Sequence, residues 1–128
     1  MTRSAEITLD WADGDYVFAL RWGELIKLQE ATDAGPFVVY ERLGNGQWRL
    51  GDISHTIRLA LIGGGTEPAK ALRLVRDYVE SRPPLENLML ARGILGVALH
   101  GPADEDPGEA VGEATTDAST TSPTENSE

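Results

Sequence analysis

The sequence predicts an α+β fold, predominantly α: an N-terminal β-hairpin followed by about five short helices, with a disordered acidic C-terminal tail. Three observations lead there. Apolar and polar residues alternate on both sides of Asp13-Gly14, helical apolar spacing recurs between glycine and proline stops from residue 23 to residue 100, and the composition changes abruptly after Gly101-Pro102.

The hairpin is expected over residues 6–22, where Ile7, Leu9 and Trp11 alternate before the turn and Tyr16, Phe18, Leu20 and Trp22 alternate after it. With Asp13 and Gly14 as the turn residues, Trp11 faces Tyr16, Leu9 faces Phe18 and Ile7 faces Leu20. A one-residue slip would carry Ile7, Leu9 and Trp11 to the solvent side, so the choice of face is strongly specified. Two strands alone are marginal in water, and the rest of the chain must cover this face.

The first helix is expected over 23–32, with Leu25, Ile26 and Leu28 among good helix formers; Gly35-Pro36 ends it and places a proline in the first turn of the next segment. In 36–43, Phe37, Tyr40 and Leu43 recur at helical spacing although Phe37-Val38-Val39-Tyr40 is rich in strand formers, and we read helix. Gly44-Asn45-Gly46 breaks it, and the following loop carries Trp48, an aromatic able to plug into the core. Asp52 or Ser54 can cap a helix over 52–62 whose Ile53, Ile57, Ala60 and Leu61 form one stripe, and Gly63-Gly64-Gly65 stops it. A fourth helix, 67–81, shows Ala71, Leu72, Val75, Tyr78 and Val79 on one face and ends before Pro83-Pro84. The fifth, 84–100, runs through Leu85, Leu88, Ala91, Leu95, Ala98 and Leu99.

Charge divides the chain in the same place. Of 21 acidic and 11 basic side chains, eight carboxylates and no Lys or Arg fall in residues 102–128, where Val111 is the only large apolar side chain. That composition cannot offset the entropy of ordering. Residues 1–101 are therefore expected to form a single globular domain of near-neutral charge, and 102–128 an acidic tail. Such an electrostatic footprint is wrong for gripping phosphates, so no nucleic-acid partner is expected. No run approaches the roughly 18 apolar residues of a membrane span and no signal-peptide core opens the chain, which points to the cytoplasm. Zero Cys and two separated histidines, His55 and His100, argue against disulfides, thiol nucleophiles and metal clusters.

Four constellations could suggest chemistry, and each has a simpler account. Gly63-Gly64-Gly65 follows a helix and lacks the Gly-Lys pair of a phosphate loop, so a tight interhelical turn explains it. Asp10, Asp13 and Asp15 lack the order and distal Glu of a calcium loop, and Asp-Gly suits a hairpin turn. Asp52, Ser54 and His55 are too close in sequence to converge as a triad, which is assembled from distant segments. Trp11 and Trp22 alternate with aliphatic residues as core candidates, leaving Trp48 as the one open to a protein interface. No catalytic, cofactor-binding or metal-ligating residue is expected.

Trp22-Gly23-Glu24-Leu25-Ile26-Lys27-Leu28-Gln29-Glu30, the Gly35-Pro36 break, and Gly51-Asp52 leading to Leu61-Ile62-Gly63-Gly64-Gly65 together resemble the gene transfer agent family of phage tail proteins. The likeness continues through Ala71, Leu74-Val75, Tyr78-Val79, Pro84-Leu85 and Ala91 to Leu99, and covers most of residues 6–101. Members are grouped with tail assembly chaperones, although some names call them tail tube proteins. The resemblance implies a non-enzymatic product of a phage or prophage tail gene cluster in the cytoplasm of a host bacterium. It needs no cofactor, and its expected partners are the tape-measure protein and, beyond it, the tail tube protein. The implied activity is to coat the aggregation-prone tape-measure protein until tube subunits polymerise around it; the alternative is a structural tube component retained in the particle. Oligomeric state stays open. Phe37, Tyr40 and Trp48 are the candidate partner-binding residues, on the expectation of an apolar groove between short helices.

Overall fold

Strands β1 (Glu6–Trp11) and β2 (Gly14–Ala19) pair as an antiparallel two-stranded sheet in the computed structural model, which describes residues 6–101. The acidic tail expected over 102–128 lies outside the described residues. Ile7 pairs with Phe18, Leu9 with Tyr16 and Trp11 with Gly14. This corrects the expected register: every partner moves by two residues, so the apolar face survives while its pairs change. The turn residues are Ala12 and Asp13. Ala12 supplies the positive φ (56°) that a two-residue turn requires at its first central position, and the Asp13 carboxylate accepts a hydrogen bond from the Tyr16 hydroxyl. Trp11 still meets Tyr16 edge-on, now diagonally, at 6.1 Å.

The second strand stops at Ala19 rather than continuing to Trp22. Glu24 Oε1 accepts the Arg21 N–H at 2.9 Å, which starts helix α1 (Trp22–Thr32) and turns Trp22 out to solvent, 81 % exposed. Trp22 was expected in the core; the helix start overrides the strand alternation.

Helix α2 (Pro36–Asn45) forms with Pro36 in its first turn, burying Val39 and Leu43. Helix α3 (Leu50–Gly63) begins two residues before the expected start, because Asp52 acts from inside the first turn: Oδ2 accepts the Arg49 N–H at 2.9 Å, so neither Asp52 nor Ser54 is the N-cap. Helix α4 (Pro68–Val75) passes into a π-helical turn, Arg76–Glu80, instead of running as one α-helix to 81. Its buried stripe is Ala71, Leu74, Val75 and Val79, while Leu72 falls about 100° from Ala71 around the axis and is exposed. A 3-10 turn, Pro84–Asn87, precedes helix α5 (Leu88–His100) and leaves Leu85 in solvent.

Helix α3 is the centre of the core. Ile53, Thr56, Ile57, Leu59, Ala60 and Leu61 are all buried, and the helix touches β2 and the other four α-helices. The hairpin face expected to need a cover gets one from α3 and α5, and its Trp11 corner meets the π and 3-10 turns. Trp11 Nε1 donates to Asn87 Oδ1 at 3.0 Å, Asn87 Nδ2 donates to the Tyr78 carbonyl at 2.8 Å, and the indole stands edge-on to Phe18 and Tyr78 at 5.7 and 6.1 Å. Such aromatic pairs contribute about 0.5–1.5 kcal/mol beyond their buried area.

Candidate functional site

The two motif segments, distant in sequence, meet in space. Gly23, Glu24 and Leu25 form the first turn of α1, and Leu61, Ile62 and Gly63 end α3 before Gly64 and Gly65. The Arg21 guanidinium donates to the Gly63 carbonyl at 2.6 Å and pairs with Glu6 at 2.9 Å, tying α1, α3 and β1 together. A turn at the glycines was expected and forms, with Gly65 at φ 108°. The tighter constraint is space: a Cβ on Gly63 would lie 1.9 Å from the Ala19 carbonyl oxygen, and one on Gly64 1.9 Å from that of Val17. Gly63 and Gly64 thus specify how the end of α3 abuts the backbone of β2. Sequence reasoning identified these glycines but not that reason, since contact between elements carries no local pattern.

Another motif residue, Leu25, belongs to an open groove. Trp22, Leu25, Ile26 and Gln29 lie at i, i+3, i+4 and i+7 along α1 and face Phe37 at the start of α2 and Leu99 near the end of α5, enclosing about 420 Å³. Ile26 and Phe37 remain 47 % and 53 % exposed. Gln29 is the only polar side chain in the lining, so the convergent polar groups of a small-molecule site are missing. What this geometry can accept is a row of apolar side chains from another helix.

Of the three residues expected to bind a partner, Phe37 lines the groove. Tyr40 stacks beside it at 5.9 Å and faces a second trough, along α5, that includes Arg92, Gly96 and His100. Trp48 is half-buried against the core and lines neither depression. Trp22, Ile26 and Leu99 were not anticipated. For Trp22 and Ile26 the signal was the four-residue stripe on α1, obscured once Trp22 had been assigned to the strand.

His55, on α3, accepts a hydrogen bond at Nδ1 from Arg58 at 3.1 Å. Burial, and next the Arg58 charge, hold its imidazole below the ordinary histidine range, with Glu80 and Asp52 opposing. Asp52 faces Arg42 and the Arg49 N–H, engaged in structure rather than in a relay with Ser54.

A match to the family described as phage tail tube protein, GTA-gp10, spans residues 4–101. The chain belongs to this family. No curated protein and no solved structure matches it. The GTA-gp10 match takes in every described element, both motif segments and all the groove residues, and ends where the acidic segment begins. Among the described residues no helix is long and apolar enough to cross a membrane.

Proposed function

We propose that this tail protein is a non-catalytic assembly chaperone, and that its partner is the tape-measure protein. In this reading an apolar helical stripe of the tape-measure protein lies in the groove between α1, α2 and α5, with Trp22, Ile26 and Phe37 as anchors. The observation that carries it is the exposure of those three large apolar side chains around one groove, since contiguous exposed apolar surface of this kind marks an interaction site. Aromatic anchors of this type dominate binding energy when a partner desolvates them. Many weak copies along one long helix could hold it soluble and be displaced one at a time as the tube grows.

Tail tube component is the second reading, favoured by the family's own description. A tube subunit must join its neighbours into a closed ring, and inter-subunit sheets are the structure we would expect to do so. The described residues offer one two-stranded hairpin for the purpose, which is why we rank this reading second.

Co-expression with the tape-measure protein of the same gene cluster tests the first reading. It expects the tape-measure protein to become soluble and to co-purify with this chain, and this chain to be missing from finished particles by mass spectrometry. A tape-measure protein that stays insoluble and unbound, with this chain present in stoichiometric amount in particles, would establish the tube reading instead.

A further inference from the structure

The trough along α5 holds a cation, Arg92, that no carboxylate among the described residues neutralises. The Arg92 guanidinium sits 4.3 Å from the centre of the Tyr40 ring, and its Nε is buried without a hydrogen-bond partner. Among the described residues no carboxylate pairs with it. The side chain is held against α2, where a Cβ on Gly44 would come within 2.5 Å of Nε. Stacking on an aromatic face stabilises a guanidinium but accepts none of its hydrogens; the Nε–H is closed off in the interior, while the half-buried side chain lines the trough and presents its charge there.

The trough extends from Arg92 past Gly93 and Gly96 to His100 and Gly101, and there the chain leaves α5. Directly beyond come Asp104, Glu105 and Asp106, the first of eight carboxylates in a segment without Lys or Arg. Nine residues separate Arg92 from Gly101, about 13 Å along a helix axis at ~1.5 Å per residue. An extended chain can span that distance in about four residues at ~3.3 Å each, so the first acidic cluster has the length to reach Arg92.

We infer that Arg92 is a carboxylate-binding site and that its ligand is the chain's own acidic segment, through Asp104, Glu105 or Asp106. Guanidinium and carboxylate complement one another in charge and in planar donor geometry. The tether supplies an effective concentration that lets a contact persist which would be negligible between separate molecules. This inference does not depend on the chaperone reading.

Because the chain has no cysteine, Ala110→Cys accepts a single spin label on the full-length protein. In the isotope-labelled chain the amide resonances of Met89, Arg92 and Gly93, a full helix away from the tether point, should broaden. The broadening should be lost in D104N/E105Q/D106N, in Arg92→Gln and in high salt. Should Arg92→Gln fail to fold, the tail-neutralised chain, whose body is untouched, decides alone. Equal broadening with and without the three carboxylates would overturn the inference. So would broadening of an untagged, isotope-labelled chain mixed with a tagged, unlabelled one, because the ligand would then come from a second copy.

Discussion

Arg42 reaches from α2 to α3 and holds both carboxylate oxygens of Asp52, its Nε 3.0 Å from Oδ2 and its Nη2 2.7 Å from Oδ1. Asp52 is 1 % exposed and also accepts the Arg49 N–H, so one buried carboxylate joins two helices and fixes the start of the central one. Removing one member of a buried pair leaves the other charge without compensation, at a cost of about 3–5 kcal/mol. Asp52→Ala should therefore lower the melting temperature by more than about 10 °C, since each kcal/mol moves a domain of this size by roughly 4–8 °C. Replacing both residues, as Arg42→Met with Asp52→Leu, should recover much of that loss. Calorimetry on the single and double variants checks both statements; a single variant that melts with the wild type would show the pair to be dispensable.

The motif glycines should separate by the space around them. Gly63→Ala and Gly64→Ala each force a methyl group into a β2 carbonyl and should cost about 1–3 kcal/mol or more, as overpacking does. Gly23, in the first turn of α1, has nothing within 4 Å of its would-be Cβ. Gly23→Ala should be neutral or stabilising by up to about 1 kcal/mol, the difference in helix propensity. Urea denaturation midpoints of the three variants give the comparison. If Gly23→Ala folds well yet no longer binds a partner, Gly23 belongs to an interface.

Sequence reasoning reached the order of elements because hairpin alternation, proline starts and glycine stops are local signals that here agree with the packing. Phe37 to Leu43 shows how far that extends: strand-forming residues sit in a helix because Val39 and Leu43 must face the core from the same side as Pro36 sets the chain in. The hairpin register escaped because a shift of two residues leaves the same side chains on the same face, and only the turn geometry at Ala12 distinguishes the two pairings. Trp22 escaped for a related reason. Its alternation with Leu20 fits a strand, but the Glu24 carboxylate converts the same residues into a helix start. The groove was therefore half legible: Phe37 followed from helical spacing, whereas the α1 wall depended on where that helix begins.

Stability should depend on pH through His55. Its imidazole resists protonation in the folded chain, first because it is partly buried and then because the Arg58 charge lies beside it. In the unfolded chain it titrates near about 6.5. Between the depressed folded value and that point the unfolded chain binds more protons, so stability is complete above about 6.5 and falls as the pH drops through it. His55→Gln should flatten this part of the profile while leaving the carboxylate-driven loss at lower pH. Urea midpoints from about pH 7.5 down to pH 5, wild type against variant, isolate the histidine contribution. Parallel profiles would show that the imidazole titrates alike in both states.

The groove and the core aromatic should respond in opposite ways. Trp22 is 81 % exposed and makes none of the aromatic pairings of Trp11, so Trp22→Ala should leave the folded body within about 0.5 kcal/mol of wild type, as exposed substitutions do. If the groove binds the tape-measure protein, the same change removes an aromatic anchor worth about 2 kcal/mol or more, a loss of roughly 30-fold in affinity. Phe37→Ala should behave alike, since both side chains line one wall-to-wall gap. Trp48→Ala should do the reverse: the indole packs against the core, and its removal should lower the melting temperature while any groove-mediated binding survives in the folded fraction. Melting curves paired with co-purification for the three variants decide. A Trp22→Ala protein that binds the tape-measure protein as tightly as wild type would place the binding surface elsewhere, and a Trp48→Ala protein that folds normally but fails to bind would move it to the loop between α2 and α3.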